Sequence, residues 1–275
     1  MEIEDAFSNG KAFIAFVTCG DPDMETTASV VRSLAANGAD LIELGIPFSD
    51  PTAEGPVIQG ANVRALRAGA TTDKVFDMVT SIRSDVAVPL VFMTYANVVF
   101  SYGTDRFLKR CEDVGIQGLI LPDVPYEEKE DFLPACRAHG VKLISMVAPT
   151  SEERISMIAA ESEGFLYVVS SMGVTGARRS ITTDVGSIVQ AAKKVSKTPC
   201  AVGFGISNPE QAREMSLHAE GIIIGSAIVR IVAEHGRGSA KPVGEFAKAV
   251  KDAISGRRRR LYLATAGTWW QRSWP

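Results

Sequence analysis

Short runs of β-branched and other apolar residues alternate along this chain with amphipathic stretches. They recur at roughly thirty-residue intervals, the length that one strand–helix–strand unit needs. The runs predict strands over 13–18, 41–45, 90–95, 118–121, 142–147, 165–170, 200–204 and 221–224. Helical periodicity follows each of them. It predicts, for example, helices over 24–37 closed by Gly38, over 105–114 before Gly115, and over 127–139 before Gly140. Eight such repeats without a break in composition predict one α/β domain, residues 1–256, whose parallel sheet closes into a (β/α)8 TIM barrel. An open doubly wound sheet is the alternative. Residues 257–275, with Arg257 to Arg260 followed by Trp269 and Trp270, fall outside the pattern and read as a disordered extension.

Composition narrows the function classes. With 46% hydrophobic residues among 275 and a net charge of −3, the chain can build one large core and has no excess charge to attract nucleic acid. No stretch has the apolar length of a membrane span, and the acidic start Met1-Glu2-Ile3-Glu4-Asp5 is unlike a secretory signal, so a cytoplasmic location is expected. Cys19, Cys111, Cys136 and Cys200 lack C-x-x-C spacing and read as small buried hydrophobes. Histidine and cysteine are nowhere clustered as zinc ligands, so no metal site is expected.

In a barrel of this kind, function belongs to residues at the C-terminal ends of the strands. Two tips end in glycine where a helix is about to begin, Gly203-Phe204-Gly205 and Gly225-Ser226. Glycine there lets backbone N–H groups approach an anion, which predicts a phosphate site, although glycine after a strand is also ordinary turn chemistry. The other tips offer Thr18, Glu43, Tyr95 with Asn97, Asp123, and Tyr167 with Ser170. His139, His218 and His235 fall at helix C-termini and Lys11 and Lys142 at strand beginnings, all away from that face. Carboxylate acid–base chemistry remains.

Glu43 is the leading candidate, because alternation in Leu41-Ile42-Glu43-Leu44-Gly45 aims it into the barrel with Leu41 and Gly45. Burial there would raise its pKa toward the range in which a carboxyl both gives and takes a proton. An inward glutamate paired to a polar neighbour for packing is the competing reading. Asp123 reads as a hydrogen-bond partner for a neighbouring strand tip or as a turn former between Pro122 and Pro125. A loop stiffened by Pro47, Pro51 and Pro56 follows the second strand and carries further carboxylates at Asp50 and Glu54.

The stretch 41–51, with Tyr95-Ala96-Asn97-Val98-Val99-Phe100, Gly173-Val174-Thr175-Gly176, Gly203-Phe204-Gly205-Ile206-Ser207 and Gly225-Ser226-Ala227-Ile228-Val229, strongly resembles the α subunits of tryptophan synthase. The resemblance runs from about Phe13 to His235. It implies retro-aldol cleavage of indole-3-glycerol phosphate to indole and glyceraldehyde 3-phosphate. It further implies a β subunit that receives the indole in an α2β2 assembly, with pyridoxal phosphate in that partner and no cofactor in this chain. Carried over by position, Glu43 matches the catalytic glutamate and Glu54 the second carboxylate, which faces the indole N–H. Phe16, Met93, Tyr95, Asp123, Tyr167, Thr175 and Phe204 would surround the substrate, and Gly176, Gly205, Gly225 and Ser226 would bind phosphate. A free-standing indole-glycerol-phosphate lyase, or a barrel that mainly activates its β subunit, is compatible with the same residues.

The chain departs from the common family pattern in three places. Glu54 stands where aspartate is usual, which lengthens the reach of the carboxylate by about 1.5 Å. Ser171-Met172 replaces a stretch that usually bears arginine, and 257–275 has no counterpart. Gly173 and Gly176 predict that 171–180 is a lid, mobile when empty and ordered over bound phosphate.

Overall fold

The strands pair in parallel from end to end of the sheet. In the computed structural model, which describes residues 2–169, 185–203 and 205–256, they are β1 (Ala12–Thr18), β2 (Leu41–Gly45), β3 (Leu90–Met93), β4 (Gly118–Ile120), β5 (Lys142–Leu143), β6 (Met146–Val147), β7 (Leu166–Val169), β8 (Cys200–Gly203) and β9 (Gly221–Ile224). Their order is β5-β4-β3-β2-β1-β9-β8-β7-β6. The two ends of that order, β5 and β6, are consecutive pieces of one segment, interrupted at Ile144 and Ser145. The Ile144 N–H donates to the Leu119 carbonyl at 2.9 Å on one side, and the Tyr167 N–H donates to the Ser145 carbonyl at 2.9 Å on the other. The ring therefore closes through this segment as an eight-stranded barrel whose fifth strand is broken in the middle. Helices cover its outside, and the open-sheet alternative falls.

Two expected elements differ in detail. The strand expected over 142–147 is divided because its first half follows β4 while its second half follows β7. The helix expected over 127–139 is a 3-10 turn, Tyr126–Asp131, followed by a short helix, Leu133–Ala138. Pro134 is the cause: within a continuous helix it has no N–H to donate and its ring strikes the carbonyl one turn back. β3 and β4 also stop short of their expected ends, at Met93 and Ile120.

Side-chain alternation separates two cores. Ile14, Leu41, Val91, Ile120 and Ile223 point inward and pack in the barrel, whereas Phe13, Ile42, Phe92, Leu119 and Ile222 point outward against the helices. The bottom of the barrel is stoppered by the 3-10 turn Ile3–Phe7, whose Ile3 is fully buried in the interior cluster. A Cβ at Gly118 would lie 3.0 Å from Ile3 Cδ1 and one at Gly221 only 2.9 Å from Phe7 Cε1, so these two glycines make room for the stopper. Lys142 Nζ bonds both carboxylate oxygens of Glu4, at 2.7 and 2.6 Å, and Lys11 Nζ bonds the Ala219 carbonyl at 2.7 Å. Both lysines thus work at the strand beginnings, as expected, leaving neither for Schiff-base chemistry. His139 caps the helix Leu133–Ala138, with its ring nitrogens on Glu112 and Asp105 at 2.9 and 3.0 Å. All four cysteines are buried. No helix among the described residues is long and apolar enough to cross a membrane.

Candidate active site

β2 carries Glu43 into the barrel between Phe16 of β1 and Val91 of β3, its partners in register. The side chain has no solvent exposure, and neither carboxylate oxygen finds a hydrogen-bond partner among the described residues. The packing alternative, a glutamate held by a polar neighbour, lacks that neighbour there. Desolvation pushes the carboxyl up to about 8, because an ionised, unpaired carboxylate is costly in a low-dielectric interior. At neutral pH Glu43 is therefore a neutral acid holding a transferable proton. The buried Tyr167 phenol is pushed up as well, by its own burial and then by the nearby charge of Glu43.

Above Glu43 the strand ends surround a pocket of about 670 Å³, its open mouth included. That size suits a small, partly aromatic ligand. Phe16, Met93 and Tyr167 line it together with Glu43, Glu54, Gly205, Gly225 and Ser226, so the barrel brings eight of the expected site residues together. Space for the rings comes from glycine. A Cβ at Gly45 would sit 2.6 Å from Phe16 Cζ, and one at Gly203 would sit 2.7 Å from the Tyr167 hydroxyl oxygen. Gly203, expected as an anion-approach glycine, is thus required by Tyr167. We expect Gly45→Ala to push the Phe16 ring toward the pocket and to lower stability by about 1–3 kcal/mol, the usual cost of overpacking. Denaturant titration is the check, and an unchanged midpoint would show that the ring is not held where Gly45 allows it.

Glu54 reaches the same pocket from the loop after β2, just before the helix Pro56–Arg67 capped by Gly55. Its Oε2 accepts a hydrogen bond from the Tyr95 hydroxyl at 2.6 Å. Partial burial raises its carboxyl above the ordinary range and the negative charge of Asp123 adds to the rise, while the Tyr95 hydrogen bond opposes it. Two carboxyls, both shifted upward, therefore face one cavity.

Another part of the pocket is built from backbone. Gly225 caps the helix Ser226–His235 without any side-chain hydrogen bond to its first amides, and Gly205, at φ +85°, turns the chain after β8. No lysine or arginine belongs to the described lining; the exposed amides and the positive end of the helix dipole are what an anion meets.

Asp123 is placed differently. Both of its carboxylate oxygens accept the Ala96 N–H, at 3.1 Å each, so it serves the start of the helix Ala96–Tyr102 and stands outside the pocket lining. This is the supporting role between strand tips that its sequence context suggested. Tyr95 likewise stands behind Glu54 and does not line the cavity. Thr175, Gly176 and Phe204, with the expected lid over 171–180, lie outside the described residues. Sequence reading missed Ala53, Ile58, Pro122, Ile206, Ser207 and Ile223 among the lining residues. Ile223 was readable, since alternation in β9 turns it inward. Ser207 had a weaker signal, the following Asn208-Pro209 that starts a helix. Ile58 and Pro122 had none.

The comparisons with known proteins agree with one another. The family model described as tryptophan synthase alpha chain matches residues 4–255. A tryptophan synthase alpha chain of Lacticaseibacillus casei is 46% identical over 258 residues, covering 94% of this chain and 97% of that protein. One from Lactiplantibacillus plantarum is 44% identical, covering 93% and 97%. Among solved structures, tryptophan synthase from Mycobacterium tuberculosis superposes with a TM-score of 0.83 at 32% identity, covering 92% of this chain and 97% of the other. Tryptophan synthase subunit alpha from Legionella pneumophila gives 0.83 at 33% identity, covering 93% and 99%.

Proposed function

The chain belongs to the tryptophan synthase alpha chain family, and from that membership we propose that the pocket above Glu43 cleaves indole-3-glycerol phosphate to indole and glyceraldehyde 3-phosphate. The observation that carries this reading is the pair of raised carboxyls, Glu43 and Glu54, on one cavity that a helix N-terminus also lines, with no lysine or arginine among its described lining residues. Breaking the bond between the indole ring and the glycerol chain needs a proton delivered to indole C3 and a proton taken from the glycerol hydroxyl. Glu43, protonated at neutral pH, delivers the first, and as the resulting carboxylate it accepts the second. The ring is cationic between these steps. Glu54 accepts the indole N–H and offsets that charge. Phe16 and Met93 pack on the ring, and the amides at Gly205, Gly225 and Ser226 hold the phosphate.

Indole passes to a β subunit in an α2β2 complex that holds pyridoxal phosphate; this chain needs no cofactor and no metal for its own step. The complex works in the cytoplasm. The catalytic unit is residues 1–256, and the chemistry asks nothing of 257–275.

The decisive measurement is indole release from indole-3-glycerol phosphate by the purified chain, with and without a β subunit. Release by the chain alone that rises when a β subunit is added supports the reading. Equal release in both conditions would make the chain a free-standing lyase. No release in either would remove the reaction.

A further inference from the structure

Tyr95 lies two residues past β3, at the cap of the helix Ala96–Tyr102, with its ring tilted against Phe48, centroids 5.2 Å apart, and only 3% of its surface exposed. Two hydrogen bonds hold its hydroxyl, and the Thr52 backbone lies close by. The oxygen accepts the backbone N–H of Ala53 at 3.0 Å, and the O–H donates to Glu54 Oε2 at 2.6 Å. A phenol has a single proton, and the Ala53 amide occupies a lone pair of the oxygen, so the proton is directed at the glutamate. Donor and acceptor are fixed by the same short loop segment, because Ala53 and Glu54 are adjacent. We propose that Tyr95 is the positioning residue for Glu54: its hydroxyl, held by the Ala53 amide, fixes the carboxylate at the pocket wall in the orientation that meets the substrate ring. The inference rests on the reading of Glu54 as the carboxylate that faces the indole.

Glu54 has rotatable bonds enough to leave the pocket, and only a directional partner on a rigid element keeps it there. Tyr95 is such a partner: its side chain is buried against Phe48 at the start of a helix, and it stands outside the cavity lining, where it gives support without contacting the ligand. The charged or titratable neighbours acting on Glu54 are Tyr95 and Asp123, and Asp123 is occupied by the Ala96 amide. Burial and the hydrogen bond to Glu54 push the Tyr95 phenol far above its usual range, so it remains a donor at neutral pH.

The test is a double-mutant cycle on the full chain with its β subunit. Tyr95→Phe keeps the ring and removes only the hydroxyl. It is expected to lower kcat for indole release roughly tenfold, the scale of one hydrogen bond to a charged group, with KM within about twofold. In a Glu54→Ala background the same change is expected to have no further effect on kcat, because nothing is left to position. An equal loss from Tyr95→Phe in both backgrounds would place the hydroxyl on the substrate and overturn the proposal. Full activity of Tyr95→Phe alongside a damaged Glu54→Ala would overturn it while sparing Glu54. A fully active Glu54→Ala would remove both.

Discussion

Replacing Glu43 with glutamine is expected to leave the barrel folded and glycerol phosphate bound, while indole release falls by roughly a hundredfold or more, the scale for a positioned acid–base group. Glutamine matches the carboxyl in shape but carries no transferable proton. The same substitution has a separate signature in stability. Below the ordinary carboxyl value of 4.5 the group is neutral in both folded and unfolded chains; between there and about 8 the unfolded chain releases the proton while the folded chain keeps it. Stability from this group is therefore fully present below the lower value and is lost as the pH rises to the upper one, beyond which the loss is complete. Denaturant titrations of parent and Glu43→Gln at about pH 5 and about pH 9 should show the parent weakening relative to the variant at the higher pH. Indole release close to that of the parent would take Glu43 out of the mechanism. An identical pH response of the two proteins would mean that the buried carboxyl ionises without cost.

The second large effect is expected at Glu54. Glu54→Ala removes the carboxylate that offsets the cationic ring, and most of the activity should go with it, about a hundredfold in kcat. Glu54→Asp is the sharper experiment. The shorter side chain withdraws the carboxylate by about 1.5 Å, from a hydroxyl that it now meets at 2.6 Å, so the Tyr95 contact breaks. Turnover should fall although aspartate is the common residue of the family at this position. A rise on Glu54→Asp would instead mark the glutamate as a handicap and favour a barrel whose main work is to activate its β subunit. If Glu54→Ala matches the parent, the second carboxylate must be sought at Asp50 or Asp123.

Local pattern was enough for the architecture and for Glu43. Period-2 alternation in Leu41-Ile42-Glu43-Leu44-Gly45 is a property of any extended strand, so the inward direction of Glu43 could be read without knowing what lay across the barrel. Strand–helix repetition likewise implied a closed parallel sheet, and the lysines and histidines could be set aside from their positions at strand starts and helix ends. The glycine-lined side of the pocket was legible for the same reason, since Gly225 stands where a strand gives way to a helix and the N–H groups of a first turn lack internal partners.

Closure of the ring decided the rest, because it sets which strand tips meet, and their separation along the chain is invisible to local pattern. Tyr95 and Glu54 are 41 positions apart, and only the register of β2 on β3 with the path of the intervening loop brings the phenol to the carboxylate. Asp123 meets the Ala96 amide across 27 positions in the same way. The break at Ile144 and Ser145 follows from the fifth strand having to serve β4 on one side and β7 on the other. Gly203 read in sequence as a turn glycine and Gly45 as an inward position of its strand; in the barrel they are the space that Tyr167 and Phe16 fill, because a Cβ and a facing ring cannot occupy the same 2.6–2.7 Å.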